Sequence, residues 1–544
     1  MATTAASLGD AALRAPRWPH SRDSGRWVGL LPLLFLATLL VAPAARLGLE
    51  SWRGADAGVV TALWQDDYLR WRILWSLLQA AASTALALVF GVPVAWVLAR
   101  RAFPGRQLAL RLLMLPFVVP TLVAALGVLA LWGPQGWAGR WLMQGFGLDL
   151  RETPWLLLYG NLFFNLCLVV RAGVDGLSQV AASRVAAART LGATPWRVFW
   201  RVEWPAILPW LASASCLVFL YCFSGFGLAL VLGGQRYATA EVEIYTLVAH
   251  ELRLPQAGAL ALAMALLTGG VALLYARIEA RLAMPARTDP ITLRRPRGWR
   301  GRAGVAAALG VLLFFCVLPL VAILARAVAA GPVVWATLAD AEVLWALFNT
   351  LRFTAAAVVL ATLLGLAHAL AARRSVLLRA AAFLPFVVSP ITVAFGLLLL
   401  YPQWTASLGL LVAAYALLAY PFVAKAVGAA LDSQPAHLLQ AARTLGATPW
   451  RVFWRVRLPL LLPALRRGMA FAAATALGEF AVTLFLSRPE WTTLTTLVYE
   501  RLGRPGTLNR DGAFVLAALL MLAALLVFLL LDPPARDPHK GRHA

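Results

Sequence analysis

Few residues in this chain have the type and spacing for covalent, nucleotide or metal chemistry, and the closest approaches fail on a single position. A phosphate-cradling loop needs two glycines separated by four residues, then Lys and Ser or Thr, so that backbone N–H groups and an ammonium meet the phosphates. Only two lysines exist, Lys425 and Lys540, and they precede Ala426 and Gly541. His250-Glu251 opens like a zinc-protease helix, but the second histidine of that motif would stand at 254, which is Leu254. Cys167, Cys216, Cys222 and Cys316 lack the paired spacing of a zinc or redox site. The expectation is a chain with no catalytic residue, no metal ligand and no cofactor of its own.

Composition says where such a chain works. It is 61% hydrophobic and 13% charged over 544 residues, so the bilayer is its solvent. About 20 apolar residues of helix cross a bilayer, and twelve such runs can be drawn: 27–47, 73–99, 109–132, 154–174, 206–233, 257–276, 303–325, 344–371, 380–401, 407–428, 462–486 and 513–531. The net charge of +24 would suit a nucleic-acid binder, but the basic residues gather on one side of the runs, as expected when basic loops resist translocation. No nucleic-acid partner is expected. The pattern predicts a multi-pass membrane protein with both termini in the cytoplasm. Arg14, Arg17, Arg22 and Arg26 before an apolar run ending Ala42-Pro43-Ala44 imitate a cleavable signal. An uncleaved first span is expected, because the second half opens the same way, with Arg294 to Arg302 before its own apolar run.

The chain is organised by repetition. AARTLGATPWRVFWRV occupies 187–202 and again 441–456. The register continues without a gap, matching Pro205 with Pro459, Phe226 with Phe480 and Tyr245 with Tyr499. Six runs on each side make two parallel repeats, related by an axis along the membrane normal. The fold class is therefore all-α polytopic, with about 12 transmembrane helices as two parallel six-helix repeats, 1–290 and 291–544, and repeated loops at 178–205 and 432–459. The boundary falls in 277–302, where Pro285, Pro290 and Pro296 interrupt any helix and eight arginines hold one side.

Within each loop, Gly192 and Gly446 can supply a left-handed helix exit, and Pro195 and Pro449 suit the first turn of the next helix. Trp196, Phe199 and Trp200 then share one face at i, i+3 and i+4. A basic aromatic helix could lie in the headgroup layer. That role would not demand identity between two loops, whereas fitting one pocket on a twice-present cytoplasmic partner would.

These loops resemble the E-A-A loop of ABC-importer permeases. Ala187, Ala188, Gly192, Val202 and Pro205 fit its spacing, as do Ala441, Ala442, Gly446, Val456 and Pro459; the leading Glu is replaced by Ala186 and Gln440. The resemblance implies the type I importer permease fold and a coupling helix that docks in each of two copies of a cytoplasmic ABC ATPase. It also implies a periplasmic substrate-binding protein on the other side, with ATP and magnesium held by the ATPase. Fused permeases of this shape serve ferric-iron and thiamine importers. Trp64-Gln65-Asp66-Asp67-Tyr68, Gln135-Gly136-Trp137, Glu243-Ile244-Tyr245 and Arg510-Asp511-Gly512-Ala513 are similar to the thiamine and thiamine pyrophosphate permeases.

For a cationic cargo, aromatic faces or a buried carboxylate would serve. Glu479 is the one acidic residue placed inside a run, and an ionisable group there is costly enough to suggest function; a hydrogen-bonded role at a helix break at Gly478 is the alternative. Phe226, Phe480, Tyr245 and Tyr499 are the matched aromatic candidates for the substrate path, although packing against neighbouring helices is the commoner role for such residues. A gradient-driven twelve-span secondary transporter would need no docking loop and would use ionisable groups in its spans, which are few here. His368 is assigned no role.

Overall fold

The computed structural model describes residues 24–53, 65–282, 291, 293–373, 375–405, 407–486 and 488–531. Arg14, Arg17, Arg22, Trp64 and the boundary placed near 290 lie outside them. Every regular element among the described residues is helical. Among the described residues ten helices are long and apolar enough to cross a bilayer, from Gly29–Trp52 and Asp67–Arg100 in the first half to Pro449–Leu477 and Thr507–Leu531 in the second.

Four of the twelve expected runs are broken. Residues 109–132 split into Arg106–Val118 and Thr121–Trp132, bent by 109°, and 380–401 splits before Pro390–Leu400. The cause is Pro120 and Pro390. Each lacks an N–H and pushes the preceding residue out of helical geometry, so Val119 and Ser389 are extended, with ψ of 127° and 150°. The runs 206–233 and 462–486 also stop midway. Pro195–Phe223 gives way at Ser224 and helix resumes as Gly227–Leu232; Pro449–Leu477 gives way at Gly478 and resumes as Ala481–Leu486. Short buried helices, Ala240–Ala249 and Leu494–Gly503, follow each break. Non-helical backbone at membrane depth is tolerated because these segments are buried in protein rather than lipid.

The halves are interlocked by exchange of their first helices. Gly29–Trp52 packs on Ala341–Ala372 and Pro390–Leu400 of the second half, and Gly298–Ala329 packs on Asp67–Arg100 and Thr121–Trp132 of the first. Each first helix contains one π-helical stretch, Ala37–Val41 and Leu313–Val317. A π-turn disturbs the regular carbonyl pairing, and a tyrosine of the other segment of the bundle reaches each one: Tyr401 donates to the Thr38 carbonyl at 3.0 Å, and Tyr159 donates to that of Phe314.

Close approach at the crossings depends on two matched glycines. A Cβ on Gly127 would stand 2.8 Å from the Pro319 carbonyl oxygen, and one on Gly396 would stand 2.9 Å from the Pro43 Cβ, whereas Gly270 has open space. Gly127→Ala and Gly396→Ala are therefore expected to destabilise the folded protein by about 1–3 kcal/mol through overpacking. Gly270→Ala should leave it unchanged or slightly raised, since Ala is the better helix former; thermal unfolding of the detergent-solubilised chain measures the difference.

Candidate functional site

The two repeated loops fold alike. The first helix of each, Ala182–Thr190 and Ala436–Thr444, ends on a glycine with φ of +78° at Gly192 and +79° at Gly446. Around it the Ala193 N–H donates to the Ala188 carbonyl at 3.0 Å and the Gly192 N–H to Arg189 at 3.0 Å, and the second copy repeats this with Ala447 to Ala442 and Gly446 to Arg443. This is the left-handed closure that satisfies the last carbonyls of a helix. Thr194 and Thr448 then accept the N–H of Arg197 and Arg451, both at 3.4 Å, and so cap the next turn. That turn passes through a π-helical stretch, Phe199–Glu203 or Phe453–Arg457, straight into Trp204–Phe223 or Leu458–Leu477. Loop and span are one continuous rod.

The outer faces of both loops are apolar and bare. Leu191 and Leu445 are each 88% exposed, and Trp196 and Trp450 are 70% and 69% exposed. Ala187, Gly192, Ala441 and Gly446 are exposed beside them; Ala188, Ala442, Val202 and Val456 are half-buried, and Pro205 and Pro459 lie in the first turn of the spans. Trp196, Phe199 and Trp200 form one ring cluster, with centroids 5.4–6.3 Å apart, and Trp450, Phe453 and Trp454 repeat it. The roots of the loops differ. Glu203 is buried and accepts from Arg100 at 2.9 Å and Trp96 at 3.0 Å, whereas its counterpart is Arg457.

Between the halves, the helix breaks bring the four matched aromatics into one cluster. Phe226 and Phe480 stack on each other, with centroids 6.0 Å apart and planes within 19°. Tyr245 backs Phe226 at 5.7 Å and Tyr499 backs Phe480 at 5.1 Å. A residue that contacts its own repeat counterpart must lie at the pseudo-twofold axis. Gly227 keeps the cluster tight, since a Cβ there would meet the Thr121 hydroxyl at 2.9 Å.

Glu479 is buried beside this cluster, but its carboxylate accepts from the Val482 N–H at 2.9 Å and caps the resumed helix. It is also not the one carboxylate within the membrane-embedded region. Glu203 lies inside the helix Pro195–Phe223, and Glu241 and Glu243 are buried in Ala240–Ala249. Glu241 joins the halves by accepting from Ser389 at 2.5 Å and Thr392 at 3.5 Å, both at the start of the broken helix Pro390–Leu400. The fifth apolar run ends at 233, ahead of Glu241 and Glu243; the signal that points to these two is their position four and two residues before the matched Tyr245.

The chain matches the family described as the binding-protein-dependent transport system inner membrane component over residues 87–284 and 357–532. The chain belongs to this family. Each matched segment holds one repeated loop and one side of the aromatic cluster. Curated relatives agree along nearly the whole length. The thiamine transport system permease protein of Escherichia coli (strain K12) is 29% identical over 93% of this chain and 97% of its own. Its namesake in Haemophilus influenzae is 28% identical over 91% and 93%, and that of Brucella abortus (strain 2308) is 30% identical over 92% and 94%. This inner membrane component is thus the multi-pass permease, a transport subunit, of an ABC importer. In that family the permease works with an ATPase and a substrate-binding protein.

For Glu479 the geometry assigns a capping role that needs an acceptor rather than a charge. Glu479→Ala should cost about 0.5–2 kcal/mol of stability, the usual loss of an N-terminal cap, and Glu479→Gln should restore most of it. Thermal unfolding of the two variants, beside their transport rates, separates capping from a charge contact with cargo.

Proposed function

We propose that this permease carries thiamine or thiamine pyrophosphate inward across the bacterial inner membrane. The repeated loops and both termini lie in the cytoplasm, and each loop seats one copy of an ATPase. The observation that carries this reading is the pair of identical, bare apolar loops, each continuous with the span that ends at the aromatic cluster. Two identical docking faces are what a pair of identical partners needs, and closure of the ATPases would move both rods together. The cargo reading is supported by the names of the full-length relatives and by the suitability of aromatic faces for a permanent organic cation.

The cycle follows from the connectivity. A binding protein delivers cargo at the end opposite the loops, ATP binding in the partner draws the loops together, and the rods part Phe226 from Phe480. No step of hydrolysis falls to this chain; ATP and magnesium belong to the partner.

Proline cannot adopt the positive φ of Gly192 or Gly446. Gly192→Pro or Gly446→Pro should therefore abolish co-purification of the ATPase while membrane insertion stays intact, and unchanged co-purification would sink the docking role. For cargo, ATP hydrolysis by the reconstituted complex should rise when its binding protein is loaded with thiamine compounds. Stimulation by ferric iron instead would reject thiamine.

A further inference from the structure

At the end of the bundle opposite the repeated loops, the second half holds a cavity of about 830 Å³ whose walls include Glu342, Trp345, Asn349, Thr483, Tyr499 and Arg504. Its position follows from the helix Ala341–Ala372. The C-terminal end leads to Arg379, which lies 3.8 Å from Asp432 at the start of the second loop, so residues 342–349 stand at the far end.

In the first half the same space is filled. Ala240 and Leu494 are matched residues, and their N–H groups donate to Ser76 at 2.8 Å and to Thr350 at 2.9 Å, which places Ser76 and Thr350 in register. One turn earlier stand Arg72 and Ala346. Arg72 lies 3.4 Å from Glu243, donates to the Gln235 and Ala238 carbonyls at 2.8 and 3.2 Å, and donates to the Tyr68 hydroxyl at 2.6 Å. The counterpart of Glu243 is Leu497. The second half thus lacks both members of the filling ion pair: Ala346 borders the cavity where Arg72 would project, and Leu497 packs in the core beneath it.

The walls have a recognisable chemistry. Asn349 is 1% exposed and donates to the carbonyls of Glu490 at 3.0 Å and Thr492 at 2.9 Å, while its Oδ1 has no hydrogen-bond partner among the described residues. Oδ1 is sealed from the cavity, so this side chain braces the wall by holding the 490 and 492 carbonyls rather than by meeting a ligand. Trp345 and Tyr499 offer aromatic faces. Three carboxylates, Glu342, Glu490 and Glu500, face two guanidinium groups, Arg488 and Arg504. The ion pairs are long, with Glu342 at 3.7 and 3.9 Å from Arg501 and Arg504 and Glu500 at 3.5 Å from Arg504, so the carboxylates keep lone pairs for a ligand cation. Tyr499 also packs on Phe480, so the cavity ends on the aromatic cluster.

We propose that this cavity is a single, off-axis outer subsite where a planar aromatic amine with a fixed positive charge is held before the Phe226–Phe480 pair parts. Its ring lies against Trp345 or Tyr499, and its charge faces the carboxylates Glu342, Glu490 and Glu500. This rests on the thiamine reading and adds to it a place on the permease and an asymmetry between the halves.

The test is Ala346→Arg combined with Leu497→Glu, which rebuilds the first half's filling, beside the milder Trp345→Ala at an exposed position. Radiolabelled thiamine is the probe, in equilibrium dialysis against the full chain in nanodiscs and in uptake by the reconstituted complex. The wild type should bind about one thiamine per chain. The filled variant should weaken binding and uptake about tenfold or more, and Trp345→Ala about threefold, the scale of one lost hydrogen bond or ring contact. ATPase co-purification and basal ATP hydrolysis should be unchanged. Wild-type binding and uptake in an assembled filled variant would overturn the subsite alone, as would a phospholipid retained in the cavity with thiamine uptake undisturbed. If the filled variant does not assemble, unchanged binding by Trp345→Ala overturns it. A wild-type complex that moves no thiamine would remove the cargo reading and the subsite with it.

Discussion

The contact of Phe226 with its own repeat counterpart, Phe480, is the point on which the structure turns. It exists because two long helices stop at the same depth and hand over to short buried ones, placing each ring at the shared axis. From loop to break, each rod has 29 residues, about 43 Å at 1.5 Å per residue. A small movement where a partner grips the loop is thus delivered at the rings. The interlocking of the halves through Gly127 and Gly396 gives those rods a fixed frame to move against.

The longest run of sequence identity between the halves falls on a surface with a reason to be identical. The sixteen repeated residues present the same apolar face twice, which a pair of like partners requires. Buried charge diverges instead. Glu203 with Arg100 roots one loop where Arg457 stands in the other, Glu479 caps a helix where Gly225 leaves a bare turn, and Arg72 with Glu243 packs where the other half has Ala346 beside a cavity and Leu497 in the core. An ion pair buried in low dielectric must be complete to be tolerated. The Arg72–Glu243 pair is accordingly absent as a unit from the second half, where both positions are apolar.

Much of this was legible in the residues. The all-helical two-repeat plan followed from apolar runs and a long exact repeat, the left-handed turn at Gly192 from glycine ahead of Thr-Pro, and the meeting of Phe226 and Phe480 was prefigured by their matched register. The break at Gly478 was legible as an alternative reading of Glu479, but those at Pro120 and Pro390 were not, because both prolines sit within runs whose hydropathy reads as continuous and prolines are common in membrane helices. The roles of Glu241 and Glu243 were hidden because a buried ten-residue helix between two spans is too short to register as membrane-embedded. Nothing local signals the exchange of first helices; only the two glycines bear its mark, and their meaning appears once Pro319 and Pro43 are beside them.

The most direct test is a thiol bridge across the axis. In a chain with Cys167, Cys216, Cys222 and Cys316 replaced, Phe226→Cys and Phe480→Cys would be joined by a short bifunctional thiol reagent with a cleavable link, and thiamine uptake followed in the reconstituted complex. Uptake should stop when the bridge forms and return when it is cleaved, with ATPase attachment unaffected throughout. Undiminished uptake by the fully bridged protein would contradict a path that opens between these two rings.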